Sequence, residues 1–196
     1  MTVAQPGRPR DTQLDHAILA ATRDLLATGS YAELSMESVA VRAGVGKKTL
    51  YRRWPSKAPL VADAVLDAYG RSGSFPVAET GDVAADLRSW LNDRAEFLAE
   101  PSNTALVRAL IAAAAASPAD GVALYQQLSS PQHAGLMTRL RQAVDDGQIR
   151  TDADLDAVAE TLIGTLLSRA LTYSAGSRGP FEGLVDALLN GVAARQ

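Results

Sequence analysis

The stretch from Ser35 to Lys57, SMESVAVRAGVGKKTLYRRWPSK, constrains the fold more than any other part of this sequence. It contains two short helical patterns on either side of Gly44. Glycine readily adopts the left-handed backbone that a tight turn between crossing helices requires. Ser35 is expected to cap the first helix, because its hydroxyl can accept from an N–H group of the first turn. With the second helix starting near Gly46, the segment predicts a helix-turn-helix.

The second predicted helix has one apolar face and one basic face. Leu50 and Trp54 lie four residues apart and share the face that we expect to be buried. Lys48 and Arg52 point to the opposite side. The residues that flank them are Lys47, Thr49, Tyr51 and Arg53. Because the window 42–57 carries six lysines or arginines and no acidic residue, this face is expected to contact the phosphates and major groove of double-stranded DNA.

Lys57 is a further candidate for contact with a phosphate. Pro55 is expected to end the second helix and Ser56 to cap the next one, which places Lys57 in a first turn whose N–H groups favour an anion. The alternative is a solvated lysine that slightly disfavours its own helix start. The complete set of predicted DNA contacts is Ser35, Lys47, Lys48, Thr49, Tyr51, Arg52, Arg53 and Lys57.

Three sequence blocks together resemble the DNA-binding domain of the TetR family of transcriptional repressors. They are the leading helix LDHAILAATRDLLATG, the core VAVRAGVGKKTLYRRW and the PSK step into a following helix. Two departures are mild: Gly46 stands where the family usually has Ser, and Trp54 where Phe is commoner. Both residues are expected to keep the physical role of the position. The resemblance implies a homodimer that binds a palindromic operator.

Composition favours an all-α protein with room for two domains. The chain has 196 residues, of which 47% are hydrophobic and only 5% aromatic, and its apolar residues recur at helical spacing. The absence of cysteine excludes disulfides and thiolate chemistry. The first residues lack the apolar region of a signal peptide, and no later segment reads as a membrane-spanning helix. We therefore expect a cytoplasmic protein with no membrane partner.

The sequence divides into three predicted regions. Residues 1–10 are expected to be a disordered arm, which either enters a DNA groove or is a solvated tail. Residues 11–69 are predicted to form the helix-turn-helix domain with its connector helix, and residues 80–196 a helical regulatory and dimerisation domain. Residues 1–58 carry a net charge of +4 and residues 59–196 one of −7. A basic head on an acidic body would orient the molecule on DNA. The alternative is that the negative charge of the body only maintains solubility.

The body is predicted to contain five helical patterns. They cover residues 82–100, 104–116, an interrupted element at 119–128 and 132–146, residues 154–173 and residues 181–194. The last two carry broad apolar stripes that invite a second copy and a four-helix bundle, which is also the usual dimer of the family. An ordinary core helix pair is the alternative. The predicted interface residues are Leu155, Leu162, Leu166, Leu184 and Leu188.

Enzyme chemistry has little support in this sequence. There are two histidines, His16 and His133, and neither has metal-ligand spacing around it. We therefore predict no catalytic residue, no metal and no cofactor. The family resemblance implies instead a pocket in the body for a small-molecule effector. Large side chains could line this pocket, although such residues more often belong to the core. The candidates are Trp90, Phe97, Tyr125, Met137 and Tyr173.

The sequence thus predicts a ligand-responsive DNA-binding regulator. We expect a repressor that binds an inverted-repeat operator as a homodimer and is released by a small apolar or amphipathic ligand. The alternative is a DNA-binding regulator without a ligand, whose C-terminal domain serves only dimerisation or protein docking.

Overall fold

Every regular element in the computed structural model is helical within the residues it describes, 12–70, 75–172 and 182–191. The α-helices are α1 (Thr12–Thr28), α2 (Met36–Arg42), α3 (Lys47–Arg53), α4 (Lys57–Ala68), α5 (Val83–Ala99), α6 (Pro101–Ala116), α7 (Pro118–Leu124), α8 (Ser130–Asp145), α9 (Leu155–Thr172) and α10 (Glu182–Asn190). A π-helical turn, Tyr125–Ser129, joins α7 to α8. The all-α prediction is confirmed. The predicted arm at 1–10 lies outside the described residues.

The start of α2 and the turn after it follow directly from their residue types. The Ser38 N–H group donates to the Ser35 hydroxyl at 3.0 Å, and the Ser35 N–H group donates to the Ser38 hydroxyl at 3.2 Å. This reciprocal pair satisfies two N–H groups that the first helical turn leaves without partners. Gly44 follows α2 with a φ of +67°, the left-handed conformation that favours glycine. α2 and α3 therefore cross where the sequence predicts.

The first hydrophobic cluster, which we call the head cluster, extends beyond the helix-turn-helix. Helices α1 to α4 contribute fully buried side chains such as Ile18, Val39 and Leu60. α6 adds a strip of small and medium residues, of which Leu106 and Ala113 have no exposed surface, and α6 packs against both α1 and α4. The first four helices thus share one core with a helix of the body.

The second cluster, the body cluster, is formed by α5, α8, α9 and α10 and encloses an ion pair. Arg139 Nε donates to Asp86 Oδ2 at 2.6 Å, and the two side chains are 2% and 1% exposed. Thr80 donates its hydroxyl to Asp86 Oδ1 at 2.7 Å. Burial alone would raise the pKa of Asp86, but hydrogen bonds from Thr80 and Arg139 and the charge of Arg139 hold this pKa below its ordinary value.

Two details of the body differ from the sequence prediction. Pro101 begins α6 instead of only closing α5, because a proline is compatible with the first turn of a helix. The Ser-Ser-Pro sequence at 129–131 does not interrupt the helical backbone, because Pro131 lies in the first turn of α8. The interruption between α7 and α8 is the π-helical turn itself. Within the described ranges, none of the helices is both long and apolar enough to cross a membrane.

The connector helix α4 is fixed at its C-terminal end by aromatic contacts. The ring of Tyr69, its C-cap residue, stacks on that of Phe97 from α5 with centroids 3.6 Å apart. Phe75 meets the same tyrosine edge-on at 5.8 Å. Offset and edge-on aromatic pairs add to the stabilisation that burial provides. The end of α4 is thereby attached to the body.

Candidate nucleic-acid interface

The outward face of α3 presents basic and aromatic side chains to solvent. Lys48 and Arg52 are exposed and make no ion pair with any residue that the structure describes, and Tyr51 is 44% exposed between them. Leu50 and Trp54, at 0% and 6% exposure, hold the opposite face against the head cluster, as predicted. A short helix with a buried apolar face and unneutralised cations outside is suited to the major groove.

Lys47 also lies on the exposed side of α3 but already has a partner. Its Nζ atom donates to Glu37 Oε1 at 3.1 Å, and the side chains are 62% and 50% exposed. The hydrogen bond from Lys47 lowers the pKa of Glu37. Exposed pairs of this kind contribute little to stability, so a phosphate can replace the carboxylate at low cost. Thr49, next on the helix, is half-buried.

Arg53 is placed differently from Lys48 and Arg52, and its predicted DNA contact stays a prediction. Its side chain is only 14% exposed and forms an ion pair with Asp15 of α1. Arg53 lies three residues after the buried Leu50, so it emerges beside the apolar face instead of opposite it. The arginine therefore fixes α3 to α1 from the edge of the outward basic face.

Lys57 contributes to the internal structure of the head. Its Nζ atom donates to the carbonyl oxygens of Tyr31 at 2.8 Å and Leu34 at 3.3 Å and lies 4.2 Å from the centroid of the Tyr31 ring. Burial, with a smaller effect of Asp120, raises the pKa of Tyr31. An ammonium has three N–H donors, so one stays available to a phosphate. The predicted phosphate contact of Lys57 stays a prediction.

The serine and glycine caps differ in the hydrogen bonds they make. Ser35 caps α2 through its side chain, so its hydroxyl is already engaged and its contact with DNA stays a prediction. Ser56 occupies the N-cap of α4, but its side chain makes no capping hydrogen bond. Gly46 at the N-cap of α3 has no side chain with which to cap. The expectation that Gly46 keeps the role of a capping serine therefore holds for position and not for hydrogen bonding.

An apolar cavity of about 300 Å³ lies between α4, α6, the π-helical turn and α9. The described residues that line it are Val65, Tyr69, Leu98, Val107, Leu110, Ile111, Ala114, Gly121, Leu124, Tyr125, Leu128, Ser129, Gln132, Ile163, Leu166 and Leu167. None of these carries a formal charge. Polar groups are limited to two phenols, one hydroxyl and one amide, a pattern typical of sites for neutral, largely apolar ligands.

Among the residues predicted to contact a ligand, Tyr125 alone of those described lines this cavity. Trp90 and Met137 are 2% and 6% exposed within the body cluster. Phe97 stacks on Tyr69 and lines a separate shallow cleft. Tyr173 lies outside the described residues. Trp90, Met137 and Phe97 do not line this cavity, and their predicted contact with a ligand stays a prediction.

The predicted interface leucines stay a prediction. Leu162 and Leu166 are 0% and 7% exposed and belong to the body cluster of their own protomer. Half-buried positions against the same cluster are occupied by Leu155, Leu184 and Leu188. The large apolar side chains that α9 exposes are Leu167 and Leu171, at 41% and 56%. They follow the exposed Gly164 on one helical face.

One polar contact escaped sequence analysis. Asp63 of α4 accepts from Trp54 Nε1 at 2.8 Å through one carboxylate oxygen and from Gln127 Nε2 at 2.5 Å through the other. Gln127 lies in the π-helical turn, 64 residues away in sequence. The indole N–H group at 54 was the available signal, because a buried Trp usually finds an acceptor. In the described parts of the chain there is no group of three or more metal-ligating side chains.

A helix-turn-helix with an outward basic face, joined to a helical body, defines a DNA-binding transcriptional regulator. Residues 18–64 match the family described as bacterial regulatory proteins, tetR family, and residues 77–188 match the tetracyclin repressor-like C-terminal domain. The chain belongs to the TetR family, a family of regulators and not of enzymes, in agreement with the sequence prediction.

Known relatives agree with this assignment. The uncharacterized HTH-type transcriptional regulator Rv1556 of Mycobacterium tuberculosis is 32% identical over 97% of this chain and 89% of its own length. The DNA-binding transcriptional repressor TetR of Mycobacteroides abscessus is 31% identical over 88% of this chain and 90% of its own length. The crystal structure of the TetR family transcription regulator SCO0332 superposes with a TM-score of 0.68 at 33% identity, covering 93% of this chain and all of that one, 100%.

Proposed function

We propose that the protein is a ligand-responsive repressor that binds an inverted-repeat operator as a homodimer in the cytoplasm. The observation that carries the proposal is the position of the cavity. Val65 of α4 and Tyr69, the C-cap residue of α4, border it, and only three residues separate α4 from the recognition helix α3. A ligand that changes the position of α4 would therefore change the presentation of the basic face. The effector must bind one position of α4 more tightly than another. The factor by which it then changes operator affinity equals the factor by which operator changes effector affinity.

The chemistry of the cavity wall supports a neutral ligand. The described lining offers no charge to balance an ionised group, and burying an isolated charge there would be costly. Tyr69, Tyr125 and Gln132 can each form a hydrogen bond with one polar substituent. An apolar molecule with a single hydroxyl, carbonyl or uncharged aryl-amine group fits this wall best.

The first experiment selects operator sequences from random duplexes and tests the response to ligands. We expect an inverted repeat, because a two-fold dimer presents two recognition helices to successive major grooves. Neutral apolar molecules that stabilise the protein thermally are then titrated against the operator complex. A true effector weakens operator binding about 5- to 150-fold. If every stabilising molecule leaves operator affinity unchanged, the alternative function, dimerisation or docking without a ligand, is favoured.

The dimer is tested with two leucines of α9 that differ in exposure. Leu171 is 56% exposed and Leu166 is 7% exposed. Leu171→Glu should leave a folded protein that light scattering sizes as a monomer, because a charge would face the partner's apolar surface. Leu166→Glu, the matched control, should unfold the body because the charge would lie in its core. A folded dimer in the Leu171 variant would exclude this face as the interface.

A further inference from the structure

Asp63 lies where the cavity wall, the connector helix and the recognition helix meet. Its two carboxylate oxygens accept from different partners, Oδ2 from Trp54 Nε1 at 2.8 Å and Oδ1 from Gln127 Nε2 at 2.5 Å. Hydrogen bonds to a charged carboxylate are stronger than those between neutral groups. A displacement of either donor therefore acts on the other through one rigid group.

The partner on the cavity side lies in the least regular part of the body. Gln127 belongs to the π-helical turn Tyr125–Ser129. Its neighbours Tyr125, Leu128 and Ser129 all line the cavity. π-helical turns are rare compared with α-helical ones and often occur at functional sites. A ligand that presses on this turn will move Gln127 with it.

The partner on the DNA side closes the recognition helix. Trp54 is the C-cap of α3, and its backbone N–H group donates to the Leu50 carbonyl at 2.9 Å. Its ring is 6% exposed, so the indole N–H group needs an internal acceptor, which Asp63 provides. Phenylalanine at this position would fill similar space without the donor.

We propose that the Gln127–Asp63–Trp54 hydrogen bonds transmit the occupancy of the cavity to the recognition helix. Asp63 is thus a positioning residue, and the indole N–H group of Trp54 is the feature that lets this chain use it. The inference deepens the proposed function and rests on it, because it names the path by which a ligand alters operator binding.

The test measures a coupling ratio, defined as operator Kd with saturating probe divided by operator Kd without it. The probe is N-phenylnaphthylamine, a neutral fluorescent molecule whose own binding is followed by its emission. Trp54→Phe removes the indole donor and keeps a ring, and Gln127→Met removes the amide at similar length. Both variants should bind the probe as the wild type does, with a coupling ratio about 2- to 30-fold smaller.

Two controls separate transmission from structure. Gln126, in the same π-helical turn, is exposed, and Gln126→Met should keep the wild-type ratio. The variant with both Trp54→Phe and Gln127→Met should reduce the ratio no further than either change alone, because groups acting in series are not additive. Full-size reductions that simply multiply in the double variant would overturn the relay.

Failure of the relay and failure of the proposed function give different results. If the probe weakens operator binding equally in the wild type and in both variants, the relay is wrong and ligand response stands. If the probe does not alter operator binding in the wild type, ligand response to this probe fails. The relay is then decided by the same double-mutant cycle on operator Kd without probe, in which additive effects refute it and non-additive effects support it.

Discussion

The two hydrophobic clusters place their charged groups differently. In the head, charges lie at the margin of the cluster: Arg53 pairs with Asp15, with side chains 14% and 25% exposed, and the ammonium of Lys57 reaches two carbonyls. In the body, Asp86 and Arg139 lie inside the cluster at 1% and 2% exposure. Water can solvate what is left when a marginal pair is broken, whereas an enclosed charge keeps its full desolvation cost. Equivalent substitutions should therefore have unequal effects in the two regions.

The largest expected effect comes from breaking the enclosed pair. Asp86→Ala leaves Arg139 buried without its carboxylate, and the free energy of unfolding should fall by about 3–5 kcal/mol. Asp15→Ala, the matched change in the head, should cost about 1 kcal/mol or less. Urea denaturation followed by circular dichroism measures both. Adding Arg139→Met to Asp86→Ala should recover most of the loss, and equal losses for Asp15 and Asp86 would contradict the distinction.

A second prediction separates head cations that face DNA from those that stabilise the fold. Lys48→Ala should weaken operator binding by about 1–3 kcal/mol and leave the unfolding free energy unchanged, because Lys48 is exposed. Arg53→Ala should lower stability and affect DNA only through the fold. Binding measured at several salt concentrations, beside thermal unfolding, distinguishes the two. A loss of operator affinity in a fully stable Arg53 variant would restore Arg53 to the DNA-facing set.

The two serine caps of the head provide a smaller contrast. Ser35→Ala removes a hydroxyl that accepts from the Ser38 N–H group and should cost about 1 kcal/mol. Ser56→Ala removes a hydroxyl that makes no capping bond and should cost at most a few tenths of a kcal/mol. Chemical denaturation of the two variants in parallel measures the difference. Equal costs would show that the Ser56 hydroxyl also caps its helix in solution.

The smallest effect near neutral pH concerns acid stability. The pKa of Asp86 is lower in the folded protein than in the unfolded chain. The stability that the ionised Asp86 contributes is therefore fully present above its pKa in the unfolded chain and is lost as the pH falls through its pKa in the folded protein. Stability should therefore change little between about pH 7 and 5 and fall below about pH 4. Asp86→Asn should flatten this acid branch in a series of denaturation curves. An unchanged branch would assign the acid loss to other carboxyls.

The head was more predictable from sequence than the body because its elements are short and its turn admits few residues. Gly44 and the spacing of Leu50 and Trp54 fixed the crossing of α2 and α3 and their buried sides. The pairing of Arg53 could not be predicted, because its angle on the helix is intermediate and its partner Asp15 lies 38 residues earlier. Periodicity specifies the face of a helix, but not which distant side chain meets its edge.

In the body, the helices could be predicted from the sequence, but the surfaces they pack against could not. The apolar stripe of α9 was identified correctly, yet Leu162 and Leu166 pack within their own protomer while Leu171 is exposed. Large residues are predicted to contact a ligand, and of these Trp90 lies in the core. Burial can be predicted from a sequence pattern, whereas the identity of the surface that covers a buried side chain depends on tertiary packing.

The sharing of α6 between head and body has a consequence for chimeric regulators. Leu106, Ala109 and Ala113 project into the head cluster from a helix that begins at Pro101, well beyond the end of α4. A head grafted from a relative at the loop after α4 would pack against α6 side chains that are matched to a different core. Each mismatch of side-chain volume in a core typically costs about 1–3 kcal/mol of stability. The exchangeable unit is therefore discontinuous: the first four helices together with the inward side of the sixth.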